Sequence, residues 1–270
     1  MVDIALYGLG EMGADIARCL VGGGTRLHAY DPVAGVELDA PHFHRHTTAG
    51  EAARAASAHL VVVKRPEDLE TLLFGPDGVC AAASPDSLIV LHTTLTPDAV
   101  RELRGRVRDG HGHTLIDAAL SRRGGAVRDG SLSLFVGADE AEFIRARPIL
   151  ERYADNVVHA GAGGAGMTVK LCNNWLLYSN RHAALQAIRT GRELGVDPEV
   201  LRGALASSTG ASWALAHYSE LDEAIVTGRG APPVVRDRTE SELGMAREMA
   251  ASSGEVPTSL RETFALLDAM

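Results

Sequence analysis

Residues 2–24 read VDIALYGLGEMGADIARCLVGGG, a strand-like apolar run that leads through spaced glycines into a helical pattern. Gly8, Gly10 and Gly13 form a GxGxxG pattern at the turn between the two elements. Such a pattern is informative when a strand precedes it, a helix follows it and an acidic residue ends the next strand. Asp31 ends the next strand-like run, RLHAY, so the sequence meets all three conditions.

This context predicts a dinucleotide site in a Rossmann-type fold. Gly8 would make the tight turn, Gly10 would let a pyrophosphate approach the backbone, and Gly13 would let helix and strand pack closely. Leu9 and Met12 lie between these glycines and belong to the same predicted cofactor-binding loop. The helix that follows would direct its N-terminal N–H groups at the phosphates.

The predicted cofactor depends on Asp31. A carboxylate accepts hydrogen bonds from a ribose 2′-hydroxyl and repels a 2′-phosphate, so the sequence favours NAD over NADP. The alternative is a glycine turn of an α/β fold that binds no ligand.

Alternation of short β-branched runs with helical patterns continues to about residue 160 and is typical of a parallel sheet covered by helices on both faces. Beyond residue 165 the strand-like runs stop, and one helix of about 28 residues is predicted from its apolar spacing. We therefore expect a Rossmann domain over residues 1–163 and an all-helical substrate and dimerisation domain over residues 164–270.

Composition excludes several classes of partner. A net charge of −9 argues against nucleic acid or an anionic membrane as the main partner. No apolar stretch approaches the roughly 18 to 20 residues that span a bilayer.

Three widely spaced cysteines without a CxxC pair indicate a reducing cytoplasm. The alternating His42, His44 and His46 lack a carboxylate or cysteine at ligand spacing, so no metal is predicted.

Lys170, Asn173 and Asn174 share one face at the start of the long helix. An ammonium beside a nicotinamide would act as general acid in reduction, and its neutral amine would act as base in alcohol oxidation. Burial would lower the lysine pKa towards neutrality, as such a base requires. The alternative is a lysine that extends its ammonium to solvent from a helix end.

Three further motifs carry a resemblance to a known family: DAALSRRGGAVRDGSL at 117–132, GAGMTVKLCNN at 164–174 and TTLTP at 93–97. Together with GLGEMG they resemble the β-hydroxyacid dehydrogenases. The resemblance implies that Lys170 is the catalytic acid/base, that Asn174 orients the substrate, and that the loop from Ser121 grips its carboxylate. It also implies that Thr94 contacts the cofactor, and that the protein forms dimers or tetramers.

Three departures from the family pattern fall where substrate identity is set. Arg122 and Arg123 stand where the family has two glycines, which predicts a more anionic substrate, such as a sulfonate or phosphonate. Lys64 and Arg65 follow a strand where the family has apolar residues, and are predicted to contact the cofactor or an anion. The alternative for each pair is solvation. The third departure is that Ser241 and Glu242 replace the family's lysine–aspartate pair, for which Arg236 or Arg238 would substitute.

The sequence thus predicts a cytoplasmic NAD-dependent oxidoreductase that interconverts a short 3-hydroxy acid, or a sulfonate or phosphonate analogue, and its aldehyde or ketone. The partner is a small anionic substrate, and a homodimer or homotetramer is expected. The rival hypotheses are an imine reductase, which the presence of Lys170 disfavours, and a dinucleotide-binding protein without turnover.

Overall fold

The computed structural model describes residues 2–33, 38–65, 67–122 and 132–270. The chain forms two compact units, Met1–Lys170 and Leu171–Met270. A sheet with helices makes up the first unit, and the second is helical, which confirms the predicted fold class. The functional division into residues 1–163 and 164–270 stays a prediction.

Within the described ranges, the first unit contains eight strands: β1 Asp3–Tyr7, β2 Arg26–Tyr30, β3 Phe43–Arg45, β4 Ala58–Val61, β5 Leu88–Leu91, β6 Thr114–Arg122, β7 Leu132–Gly137 and β8 Asn156–Gly161. They form one sheet with the order β3-β2-β1-β4-β5-β6-β7-β8. Chain order reverses between β1 and β4, which is where open α/β sheets bind ligands at the carboxyl ends of their strands.

Neighbouring strands are parallel except β6 and β7, which pair antiparallel with Arg122 opposite Leu132. The expectation of parallel strands is wrong for this pair. Residues 123–131 are fewer than the roughly dozen that a parallel crossover needs, so the chain returns beside the strand it has just left.

Helices of the first unit are α1 Glu11–Gly22, α2 Ala49–Arg54, α3 Asp68–Phe74, α4 Val79–Ala82, α5 Pro97–His111 and α6 Glu140–Leu150. Both faces of the sheet are buried, as β1 shows. Ile4 and Leu6 pack in one apolar cluster with α1 and α6, whereas Ala5 and Tyr7 pack in another with α2, α3 and α5. Alternation along the strand therefore supplies two cores.

The long helix α7, Ala165–Glu193, begins in the first unit, and its residues from Leu171 onward belong to the second. The other helices of the second unit are α8 Pro198–Ala206, α9 Trp213–Ala216, α10 Glu220–Val226, α11 Pro233–Ser252, α12 Thr258–Thr263 and α13 Ala265–Ala269. Leu171, Tyr178 and Leu185 recur at a seven-residue spacing on α7 and share an apolar core with Leu243 of α11.

Side-chain caps followed by a proline set the starts of two helices. The Thr96 hydroxyl accepts the N–H of Ala99 at 3.4 Å with Pro97 as the first residue of α5. The Asp197 carboxylate accepts two N–H groups at the start of α8. Local capping chemistry fixes these boundaries without help from distant residues.

Candidate active site

The loop between β1 and α1 needs its glycines for two different reasons. Gly8 has φ +95°, and a Cβ there would lie 2.5 Å from the carbonyl oxygen of Val62. A Cβ on Gly13 would lie 1.9 Å from the carbonyl oxygen of Gly8. Both contacts exclude a side chain. A Cβ on Gly10 would meet nothing within 4 Å, so this glycine leaves open space beside the turn.

That open space lies at the N-terminus of α1. Gly10 is the N-cap residue and has no side chain to bond the first-turn N–H groups, which include that of Met12. Uncapped N–H groups and the helix dipole favour an anion at this position. The loop therefore fits the pyrophosphate of a dinucleotide.

Asp31 lies at the carboxyl end of β2, beside the same loop. Its Oδ2 accepts the N–H of Leu9 at 2.6 Å, and its Oδ1 accepts the N–H of Val33 at 2.9 Å. Both bonds fix the carboxylate while each oxygen keeps a further lone pair. It can accept a ribose hydroxyl, which fits NAD.

Lys64 and Arg65 follow β4, on the same edge of the sheet as the glycine loop. The Arg65 guanidinium makes a two-pronged contact with the Asp68 carboxylate, Nη2 to Oδ1 at 2.7 Å and Nε to Oδ2 at 3.0 Å. Lys64 is exposed. Contact of either residue with the cofactor stays a prediction, and Arg65 would first have to leave Asp68.

Residues after β5 rest on a buried network. The His92 Nδ1 lies 2.6 Å from the carbonyl oxygen of Ala118 and therefore carries the proton, so Nε2 accepts from the Tyr153 hydroxyl at 2.9 Å. Burial lowers the pKa of His92 to about 4, so the ring is neutral near pH 7. The Thr93 hydroxyl donates to a backbone carbonyl after β4. Half-buried Thr94 thus follows a fixed strand end, and its contact with the cofactor stays a prediction.

The end of β6 carries the residues predicted to bind the substrate. Ser121 is half-buried, and Arg123 lies outside the described residues. The Arg122 guanidinium turns towards α1, with Nη2 2.5 Å from Glu11 Oε1 and Nη1 3.4 Å from Asp15 Oδ2. Contact of Arg122 with the substrate stays a prediction, while the structure brings this residue to the cofactor loop.

Asp117 is a site residue whose role the sequence reasoning missed. Its carboxylate is fully buried in β6, where Oδ1 accepts the N–H of Gly164 at 2.7 Å and Oδ2 that of Met167 at 2.9 Å. Burial raises the pKa of this carboxyl, and the two N–H donors act in the opposite direction. Asp117 holds the start of α7, the helix that carries Lys170. The available signal was an acidic residue within the apolar run TLIDAA.

Lys170 is half-buried and lies one helical turn before Asn174 on α7. Asn173 is exposed, whereas Asn174 is buried within the second unit. The Asn174 amide donates to Glu242 Oε2 at 2.9 Å, and the Tyr178 hydroxyl donates to the same oxygen at 2.6 Å. Glu242, which the sequence showed only as a departure from the family pattern, therefore fixes the Asn174 side chain.

Two histidines and an aspartate of the first unit lie close together. His28 and His46 lie 3.0 Å apart through ring nitrogens, and His28 lies 3.3 Å from Asp3. Within the described ranges, no group of three or more histidine, cysteine or acidic residues is arranged to hold a metal ion. In the same residues no helix has both the length and the apolar character needed to cross a membrane.

The Rossmann sheet, the glycine loop and the Asp31 carboxylate define a dinucleotide-binding protein. The sequence family described as the NAD binding domain of 6-phosphogluconate dehydrogenase matches residues 3–161. The family described as "NAD-binding of NADP-dependent 3-hydroxyisobutyrate dehydrogenase" matches residues 164–263.

Individual relatives and a solved structure indicate the same family. A 3-hydroxyisobutyrate dehydrogenase of Pseudomonas aeruginosa is 34% identical over 221 residues, 81% of this chain and 74% of the relative. An NAD-dependent L-serine dehydrogenase of the same organism is 29% identical over 94% of this chain and 87% of its own. A structure of Mycobacterium tuberculosis 3-hydroxyisobutyrate dehydrogenase with L-serine has a TM-score of 0.82 at 27% identity, covering 99% of this chain and 93% of that one. The chain belongs to the β-hydroxyacid dehydrogenase family, whose members are NAD(P)-dependent oxidoreductases of small hydroxy acids.

Proposed function

We propose that this protein interconverts a short 3-hydroxy acid and its aldehyde or ketone with NAD, and that Lys170 moves the hydroxyl proton. The observation that carries the proposal is the attachment of α7 to the dinucleotide-binding unit. Asp117 of β6 bonds the first turn of that helix, and Lys170 follows Met167 by three residues. The named substrates of the two relatives, 3-hydroxyisobutyrate and L-serine, both carry a hydroxyl on the carbon β to a carboxylate.

Each proposed site residue has its own role in this reaction. Bound NAD supplies the hydride acceptor or donor. Gly10, Met12 and Asp31 would hold it through backbone N–H groups and a carboxylate. Lys170 would take the hydroxyl proton in oxidation and return it in reduction. Asn174, fixed by its bond to Glu242, would hold the substrate oxygen.

Anion recognition is assigned to the end of β6 and the start of α7. Ser121 would donate its hydroxyl to the acid group of the substrate, and Asn173 would contribute a side-chain amide. A sulfonate or phosphonate in place of the carboxylate remains part of the proposal, because Arg123 adds a cation to the same stretch of sequence.

We also propose that the second unit mediates a homodimer or homotetramer. This unit exposes three large apolar side chains, Leu176, Leu194 and Val200, by 59%, 79% and 66%. Contact with a second copy of the chain would remove this apolar surface from water. Light scattering at micromolar concentration should give a multiple of 28.5 kDa, and a monomer mass would contradict this part of the proposal.

The test of the reaction is NADH absorbance with a panel of 3-hydroxy acids and semialdehydes that differ only in a carboxylate, sulfonate or phosphonate end. Wild type should turn over with NAD in preference to NADP. Lys170→Ala should lose activity while still binding NADH, and small primary amines added to the assay should restore part of it. Lys170→Arg should stay inactive, because a guanidinium keeps its charge and does not become a neutral base near neutral pH.

Asn180→Ala is the matched control, since this exposed residue lies on the same helix. It should retain wild-type activity. Full activity in Lys170→Ala would refute the acid/base assignment. Turnover of cyclic imines without hydroxy acids would instead favour an imine reductase. NADH binding without turnover on the whole panel would favour a non-catalytic dinucleotide-binding protein.

A further inference from the structure

In the part of the chain that the structure describes, Arg122 belongs to an ion cluster of four residues on α1 and β6. Besides its contacts with Glu11 and Asp15, the cluster includes Arg18, whose Nη1 lies 2.8 Å from Asp15 Oδ1. Among the described residues, these two guanidinium groups and two carboxylates sum to zero formal charge. Removal of Arg122 alone would make the first turns of α1 more negative by one unit charge.

The ion cluster lies at the N-terminus of α1, where the pyrophosphate is proposed to bind, so its charge acts on cofactor binding. Glu11 is the first residue of α1, directly after the N-cap Gly10, and its side chain is 76% exposed. The same turn presents the N–H groups proposed to receive the pyrophosphate. A carboxylate here stabilises the isolated helix through the dipole but repels a bound dianion.

We propose that Arg122 is a cofactor-affinity residue, which neutralises Glu11 and Asp15 so that the α1 N-terminus accepts the pyrophosphate of NAD. The inference rests on the proposed binding of that pyrophosphate by residues 8–13. Arg122 stands at the end of β6, 111 positions from Glu11 in the sequence, so the pairing is made by the fold. It differs from the role predicted for Arg122 as a ligand of the substrate anion.

The charge environment supports this assignment over the substrate role. Both terminal nitrogens of Arg122 already face carboxylates. A substrate anion would have to displace Glu11 or Asp15 and would meet their negative charge. A guanidinium held in this way contributes little net attraction for a third anion.

The experiment is a fluorescence titration of the full-length protein with NADH, without substrate, so it is independent of turnover. At low ionic strength Arg122→Gln should weaken NADH binding by about threefold to tenfold, as expected for one unscreened charge near a dianion. Glu11→Gln should bind NADH more tightly than wild type. The double variant Glu11→Gln with Arg122→Gln should return close to the wild-type Kd.

Arg26→Gln is the matched control. It makes the same change of net charge at the amino end of β2, where Arg26 pairs with Asp3 at 3.0 Å. This variant should leave the NADH Kd unchanged. The effect of Arg122→Gln should also shrink at about 1 M salt, where the Debye length falls to about 3 Å.

Four outcomes would overturn the inference. An unchanged NADH Kd in Arg122→Gln, together with a raised KM for the anionic substrate, would return Arg122 to the substrate site. Weakened binding that Glu11→Gln does not restore would indicate direct contact with the phosphates. An equal loss in Arg26→Gln would indicate a general effect of net charge. Absence of NADH binding by wild type would remove the proposed pyrophosphate site itself.

Discussion

Asp117→Asn tests how the first unit holds the helix that carries Lys170. The two carboxylate oxygens of Asp117 accept separate backbone N–H groups, from Gly164 and from Met167. An asparagine has the same shape but offers one acceptor and one NH₂ group. Whichever way the amide is oriented, one of the two N–H groups faces another donor.

The magnitude follows from that mismatch. Loss of one hydrogen bond to a charged group at a buried site costs about 1.5–3 kcal/mol. Part of this cost is offset, because burial disfavours the carboxylate, as its raised pKa shows, and a neutral amide is easier to bury. We expect a net loss of about 2 kcal/mol, which lowers Tm by about 4–8 °C in a protein of this size.

Activity should fall together with stability. Met167 lies in the first turn of α7, and Lys170 follows it by three residues on the same helix. A small displacement of a catalytic group is sufficient to lower kcat by about tenfold or more. The NADH Kd should stay near the wild-type value, because Asp117 makes its bonds to α7 and not to the glycine loop.

Calorimetry at pH 7, NADH titration and steady-state kinetics measure the three quantities. Asp197→Asn is the matched control, because a single oxygen of this exposed residue accepts both N–H groups at the start of α8. Asparagine can reproduce that arrangement, so its Tm should stay within about 1 °C of wild type. Equal small effects at the two positions, or an unchanged kcat in Asp117→Asn, would refute the reasoning.

Three further predictions concern the loop, the second unit and acid stability. Gly13→Ala should weaken NADH binding by at least about tenfold in a fluorescence titration, because the added Cβ would collide with the Gly8 carbonyl. Binding at wild-type strength would show that the loop can relax. Glu242→Ala should lower kcat/KM by about tenfold, because the Asn174 amide loses its hydrogen-bond acceptor. Glu242→Gln keeps an acceptor, so its kcat/KM should stay within about threefold of wild type. Equal kinetics in the two variants would contradict this reasoning. Burial lowers the pKa of His92 from 6.5 to about 4 in the folded state, so the fold holds the neutral ring. The free energy of unfolding is therefore highest above pH 6.5, and up to about 3 kcal/mol of it is lost as the pH falls towards 4. Urea unfolding across this range should show a shallower loss for His92→Gln, and parallel profiles would count against the assignment.

The candidate site was predictable wherever its chemistry depends on near neighbours in the chain. The glycine pattern, Asp31 and the capping residues Thr96 and Asp197 act within a few residues or across one strand–helix–strand unit. The long helix was visible in its apolar spacing. These features follow from backbone conformation and local hydrogen bonding, which the sequence specifies directly.

Tertiary structure decided which distant charged and polar groups meet. The sequence shows Asp117 as an acidic residue in an apolar strand. Its hydrogen-bond partners, Gly164 and Met167, lie 47 and 50 positions away in the chain. The partners of Arg122 and the contact of Glu242 with Asn174, 68 positions away, depend in the same way on how strands and helices are brought together. A buried or pairing side chain takes whichever partner the topology places beside it, and no local pattern encodes that choice.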